Sequence, residues 1–280
     1  MKRPALARAT VDRDAATRES EELLEQAWAG AQVLVVDDRG RAVVDGTDLV
    51  LVGADDAPKG DRLYLGSLAG QAFFAVRGEL PRRLGTQPKG IREVGALLSD
   101  RDAGLLVHAV ALANWHAAHP CCPRCGHPTR SAKGGAVRRC DNDGTEHFPR
   151  SDPAMIVLVT DGADRCVLGR QAGWPAGRYS TLAGFVEPGE SAEQAVVREV
   201  LEEVGIEVDE VAYQGSQPWP FPASLMLAFT ATCSPDAVPV AQDGELEDAR
   251  WFGKDELRAD PAMLPGNVSI GYALVAGWLG

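Results

Sequence analysis

The sequence predicts a mixed α+β / α/β protein. Its C-terminal domain reads as an α/β/α sandwich on a mixed sheet, preceded by a small cysteine-rich insert and a β-rich N-terminal domain. Three observations carry this. Apolar runs of strand length surround one amphipathic helix over residues 192–204, with a second apolar helix at the C-terminus. Four of the six cysteines fall between Cys121 and Cys140. A chain of 280 residues exceeds the usual size of one domain. The boundaries expected are 1–118, 119–149 and 150–280.

Taken in order, residues 1–17 carry no periodic pattern and read as loosely attached. Leu23, Leu24, Ala27 and Trp28 mark a short amphipathic helix over residues 20–29. Strands over 33–36 and 42–44 are joined by the turn Asp37-Asp38-Arg39-Gly40, and strands over 49–52, 63–65 and 72–76 follow. A helix is expected over 92–98, then a longer one capped by Ser99 or Asp100 and ending near Ala118, before Pro120. In the last domain, strands are expected over 154–160, 166–170, 179–186, 207–214, 225–232 and 249–252, with a helix over 269–279.

Composition excludes several classes. A net charge of -12 argues against retention on nucleic acid by bulk electrostatics, although a few arginines and metal ions suffice for a small phosphate substrate. No stretch reaches the roughly 18–20 apolar residues of a membrane span, and the start MKRPALARATVDRD lacks the apolar core of a signal peptide. The expectation is a cytoplasmic protein without membrane partners. Clustered cysteines in such a chain point to metal before disulfide. His108, His116, His119 and His127 show no triad spacing and read as packing or surface groups.

The densest stretch is GFVEPGESAEQAVVREVLEEVGI, residues 184–206. Pro188-Gly189 is a turn, Ser191 with Gln194 fits a capping box, and Gly205 sits where a left-handed helix stop belongs. Ala192, Val196, Val200 and Val204, widened by Val197 and Leu201, form the stripe expected to be buried. On the other side Glu199, Glu202 and Glu203 crowd one turn. Like charges at these spacings repel by about 0.2–0.5 kcal/mol per pair, which suits either a solvated face or a hard cation. Mg²⁺ shares oxygen ligands among carboxylates, water and phosphate.

This stretch resembles the Nudix box, G-x5-E-x7-R-E-U-x-E-E-x-G-U with U aliphatic. Gly184, Glu190, Arg198, Glu199, Val200, Glu202, Glu203, Gly205 and Ile206 fill every specified position. The resemblance implies the Nudix sandwich and metal-dependent hydrolysis of a nucleoside diphosphate linked to another group.

Upstream, Cys122-Pro-Arg-Cys125 and Cys140-Asp-Asn-Asp143 have the layout of a zinc ribbon. Asp143 stands where a further cysteine is usual. Zn²⁺ accepts carboxylate oxygen, and His147 or Cys121 could also contribute; the alternative is a ribbon held by packing alone. Downstream, residues 216–224 read SQPWPFPAS. Three prolines stiffen this loop and present Trp219 and Phe221 at low entropic cost. Read alone it is a structural turn or a proline-rich ligand for another protein. Placed about ten residues after the box, it resembles the signature of the NADH pyrophosphatase branch of the Nudix hydrolases.

That resemblance implies hydrolysis of NAD(H) to NMN(H) and AMP by a homodimer using Mg²⁺ or Mn²⁺, with structural Zn²⁺ in the ribbon. The branch also includes enzymes that remove NAD caps from RNA 5′ ends. Matched by motif position, Glu199, Glu203, the Ala183 carbonyl and Glu245 would hold the catalytic metals, with Glu202 beside them. Glu203 is expected to serve as ligand and assisting base. Gln217, Pro218, Trp219, Pro220, Phe221, Pro222, Ala223 and Ser224 would line the dinucleotide pocket. Phe148 and Phe185 resemble aromatics that sandwich the nicotinamide, and Gly271 a backbone contact to substrate. The rival readings are a Nudix enzyme for ADP-ribose or another nucleotide, and a nucleic-acid-binding ribbon with an idle box.

Overall fold

A computed structural model of the chain describes residues 3–242 and 244–280. The fold divides into two compact units. One comprises Asp152–Pro218 and Ser224–Gly280, with the N-terminal residues up to Ala7. The other comprises Arg8–Ser151, and Trp219–Ala223 belongs with it.

The first unit is built on a six-stranded mixed sheet. Asp152–Thr160 is its central strand, parallel to Ser224–Thr232 on one side and antiparallel to Leu182–Phe185 and Arg165–Gln171 on the other. Leu246–Gly253 extends the sheet beyond Arg165–Gln171, and Asp209–Trp219 lies at the opposite edge. The period-two rule sorts the central strand between two cores. Met155, Val157 and Val159 pack with Ala195, Val196, Val200 and Val204 of the helix Ala192–Val204. Ile156 and Leu158 pack with Ile270, Leu274 and Val275 of the helix Ile270–Leu279. The expected α/β/α sandwich is therefore present. The short helix Lys254–Ala259, absent from the sequence reading, buries Leu257 in the second of these cores.

The buried face of the helix Ala192–Val204 differs from expectation, while its left-handed stop at Gly205 forms as read. Its buried set is Ala195, Val196, Val200, Glu203 and Val204, whereas Val197 and Leu201 stay exposed. The apolar stripe is thus turned toward Glu203, and that rotation buries a carboxylate. Gly205 ends the helix at φ 68°, and a Cβ there would also strike the Gln242 side chain.

The second unit contains a four-stranded sheet, ordered Leu51–Gly53, Gln32–Val36, Gln71–Arg77, Leu63–Leu68, and a three-stranded sheet of Asp48–Leu49, Arg41–Asp45 and Gln87–Gly90. The turn at Asp37–Gly40 forms as read, but its flanking strands enter different sheets. The helix expected over 92–98 is only Ile91–Val94. The long helix Asp100–Ala118 has Ser99 as its cap. Residues 3–17 are not loosely attached: Leu6 is buried, Asp12 bridges to Ser67, and Ala15–Glu19 is helical. The ribbon is a three-stranded sheet of Thr129–Ala132, Val137–Cys140 and Glu146–His147.

Burial pushes the His108 imidazole, on the long helix, down to about 3 from its ordinary 6.5. The unfolded chain therefore takes up this proton first, and folded stability must fall as pH drops from about 6.5 toward 3, by at most about 1.4 kcal/mol per pH unit. Thermal unfolding followed from pH 7 to pH 5 is expected to show a shallower decline for His108→Gln than for the natural chain. Parallel declines would remove His108 as the cause.

Candidate active site

The candidate site is organised by a strand end, a loop and a helix start. The strand Leu182–Phe185 delivers Ala183 and Gly184 beside the central strand, where Gly184 pairs with Met155. The chain then turns through Glu187–Glu190, closed by the Glu190 N–H donating to the Glu187 carbonyl at 3.1 Å. Ser191 starts the helix. Its hydroxyl accepts from the Gln194 N–H at 3.2 Å, and the Gln194 side chain accepts from the Ser191 N–H at 2.8 Å.

Arg198 joins these pieces. Its Nε donates to Glu190 at 2.8 Å and its Nη2 to the other oxygen of the same carboxylate at 2.9 Å, a two-point pair. The same Nη2 donates to the Phe185 carbonyl at 2.9 Å. Nη1 reaches Glu199 at 2.9 Å and Glu202 at 3.0 Å. Arg198 and the Glu187 N–H hold Glu190 down at about 2.

The three glutamates of the helical turn are not equivalent. Glu203 is 3 % exposed. The Glu199 side chain is 15 % exposed, that of Glu202 54 %. Burial raises the Glu199 pKa against the pull of Arg198, and the charges of Glu202 and Glu245 raise it further, so Glu245 lies within electrostatic reach of the cluster. A Cβ at Gly184 would run into the Glu199 carboxylate. The glycine is thus the contact that seats Glu199 against the strand carrying Ala183. A set of hard oxygen donors, two of them largely withdrawn from water, fits Mg²⁺ or Mn²⁺.

The other proposed residues divide by environment. Gln217 is fully buried; its side-chain oxygen accepts from the Leu6 N–H at 3.2 Å and its amide donates to the Val268 carbonyl at 3.1 Å. Its side chain braces the loop from behind. Trp219 and Phe221 stand edge to face, ring centres 4.9 Å apart. Phe185 is exposed. Phe148 is exposed too and lines a cleft of about 400 Å³ with Trp115, His119, Pro123 and His147. Gly271 is buried in the first turn of its helix, its N–H donating to Ser269 Oγ at 3.1 Å.

In the ribbon, one ligand atom from each of Cys122, Cys125, Cys140 and Asp143 lies within 4.8 Å of the others. Cys125 and Cys140 sulfurs are 3.5 Å apart, near the ~3.8 Å edge expected of a tetrahedron with Zn–S bonds of about 2.3 Å. The donor set fits Zn²⁺. Burial pushes the Cys122 thiol up, yet the Arg124 and Cys125 N–H groups and His147 hold it at about 7. The Thr145 N–H, the Cys140 thiol and the Thr145 hydroxyl hold Asp143 at about 2. His147 sits outside the set, its Nε2 3.3 Å from Cys122 Sγ. Cys121 also lies outside it.

Comparison with known proteins agrees with this geometry. The NUDIX domain model matches residues 150–270, the NADH pyrophosphatase zinc ribbon domain 117–148, and the NADH pyrophosphatase-like rudimentary NUDIX domain 20–115. The NAD-capped RNA hydrolases NudC of Mycobacterium bovis and Mycobacterium tuberculosis are 40% identical over 98% of this chain and 94% of theirs. The chain belongs to the Nudix hydrolases, in the NADH pyrophosphatase branch. The mitochondrial NAD(P)H pyrophosphatase NUDT13 of Homo sapiens is 37% identical over 83% of this chain and 71% of its own. The β-rich N-terminal half carries no catalytic motif, and over residues 20–115 it is matched as a rudimentary form of the same domain.

For this Nudix chain, Gly184→Ala should keep the fold and displace Glu199. The stabilisation by millimolar Mg²⁺ or Mn²⁺ in thermal unfolding should then disappear. An unchanged metal-dependent shift would show that the glycine does not set the Glu199 position.

Proposed function

We propose that this protein hydrolyses the pyrophosphate of NAD(H) to NMN(H) and AMP, and that NAD-capped RNA is a further substrate. The observation that carries the proposal is the withdrawal of Glu199 and Glu203 from solvent on one helical turn, in a chain that also bears SQPWPFPAS at residues 216–224. Relatives at 37–40% identity are named for NAD-capped RNA and NAD(P)H.

Water adds across the P–O–P link: one phosphoryl gains the water oxygen and the other leaves with the bridging oxygen. Divalent ions, Mg²⁺ or Mn²⁺, held by Glu199, Glu203, Glu245 and the Ala183 carbonyl would neutralise the diphosphate and acidify water. Glu203 is assigned base assistance, because its burial shields it from competing solvent. Glu202, the exposed member, is assigned a supporting role beside them. Arg198 and Glu190 brace the loop so that the strand end and the helix keep one geometry. Phe148 and Phe185 are assigned to nicotinamide stacking, residues 217–224 to the dinucleotide pocket, and Gly271 to a backbone contact.

We read residues 1–118, 119–149 and 150–280 as N-terminal, ribbon and catalytic parts, and the assembly as a homodimer. Six free cysteines suit a reducing compartment, so the cytoplasm is the assigned location. Among the described residues no helix is long and apolar enough to cross a membrane.

Incubation of the protein with NADH, NAD⁺ and ADP-ribose in Mg²⁺, with product analysis, is expected to yield NMNH and AMP fastest from NADH or NMN and AMP from NAD⁺. Preferred turnover of ADP-ribose would overturn the substrate assignment. Glu203→Gln should lower kcat at least ~100-fold at saturating Mg²⁺ with the fold intact; near-normal turnover would remove Glu203 from the chemistry. Elemental analysis should find about one zinc per chain, lost or weakened in Asp143→Ala. Full zinc in that variant would exclude Asp143 as a ligand.

A further inference from the structure

The loop tip Trp219–Ala223 is held by residues that no motif marks. It carries Pro220 and Pro222, which have no N–H, so the tip cannot secure itself through ordinary ladder bonds. One internal bond forms, from the Phe221 N–H to the Trp219 carbonyl at 2.7 Å. The proline carbonyls still need donors. Asn114, one turn from the end of the helix Asp100–Ala118, supplies both: its Nδ2 lies 3.0 Å from the Pro220 oxygen and 3.3 Å from the Pro222 oxygen. The two acceptors flank Phe221, so a single amide fixes the backbone on each side of that ring.

A second anchor comes from Arg92 on the short helix Ile91–Val94. Its guanidinium carbon lies 4.4 Å from the Phe221 ring centre and 5.3 Å from that of Trp219. This is the cation–π range, and a planar guanidinium covers a ring face as an ammonium does not. With one face of Phe221 occupied and its edge-to-face partner at 4.9 Å, the pair is locked in one arrangement.

We propose that Asn114 and Arg92 are positioning residues for the Trp219–Phe221 pair, and that through it they set affinity for the dinucleotide rather than the rate of bond cleavage. The proposal rests on the assignment of this loop to the dinucleotide pocket. It gives the N-terminal half a part in substrate recognition: two of its helices pre-organise the aromatic tip, so binding does not pay to order it.

The test is steady-state NADH hydrolysis by the full-length chain. Asn114→Ala is expected to raise KM about five- to tenfold, the equivalent of one to two hydrogen bonds, with kcat within about twofold of the natural value. Arg92→Ala should raise KM about two- to fivefold, and Arg92→Lys should recover only part of that, because the ammonium keeps the charge but not the planar stacking face. In a Phe221→Ala background, Asn114→Ala should add less than about twofold, because it acts through that ring. If Asn114→Ala does not fold, Asn114→Ser, which keeps one donor, carries the test with a smaller KM increase. A fall in kcat at constant KM, unchanged kinetics, or full additivity with Phe221→Ala would each overturn the clamp while leaving NADH hydrolysis standing. A natural chain that does not turn over NADH at all would sink the functional assignment and the clamp together.

Discussion

Arg198 is the side chain on which the catalytic geometry depends, because it answers carboxylates from both ends of the loop. Its two-point pair with Glu190 ties the loop to the helix, its bond to the Phe185 carbonyl ties the strand end to the helix, and its remaining nitrogen restrains Glu199 and Glu202. One guanidinium sets a single positive charge against the three carboxylates it meets, Glu190, Glu199 and Glu202. The surplus is negative and concentrated on one turn. A fold that tolerates it does so because Arg198 absorbs the nearest repulsions and leaves the rest of the charge available to cations. Lysine could not replace it: the planar fork, not the charge, makes three directions of contact possible at once.

The catalytic half was legible in the sequence because its information is local. A capping box, a left-handed stop and a period-two strand each lie within a few residues, and the structure places all three as read. The box helix also shows where local reading fails. Spacing alone admitted Val197 and Leu201 to the buried stripe, but the sheet it packs on selects Ala195 and Glu203 instead. Burial direction is set by the partner surface, which no helical period encodes. The N-terminal half was harder for the same reason. Its turn at Asp37–Gly40 has hairpin chemistry, with Asp37 Oδ1 accepting from the Arg39 and Arg41 N–H groups. Yet Gln32–Val36 takes a parallel partner, Gln71–Arg77, from well outside any local window.

Site residues follow the same division. Glu199, Glu203 and the clustered Cys122, Cys125, Cys140 and Asp143 sit at fixed offsets and could be named from spacing. Asn114 and Arg92 could not, since each meets the aromatic tip across more than a hundred residues of chain and neither belongs to a motif. Gln217 was legible as part of the signature but not in its role. Its amide is consumed by Leu6 and Val268, so a polar side chain next to a recognition loop serves here as a brace. A signature thus need not consist of ligand contacts alone: the Gln217 side chain is used up inside the fold.

The aspartate in the ribbon follows from the same accounting of charge and donor type. Three thiolates with one carboxylate carry the same formal charge as an all-thiolate set, so Asp143 leaves the electrostatics of a bound divalent ion unchanged. What changes is the donor: one hard oxygen replaces one soft sulfur, with a bond shorter by a few tenths of an ångström. The thiolates still outnumber the carboxylate, which keeps the set suited to zinc over magnesium. Asp143 is already ionised and steered by the Thr145 N–H at 2.9 Å, so its carboxylate needs no deprotonation to serve as a ligand. A carboxylate also lacks the oxidation chemistry of a thiol, which leaves this ribbon one fewer position to lose to disulfide or sulfenic acid formation. The exchange therefore keeps the formal charge of the donor set while changing one donor's softness and removing one oxidisable position.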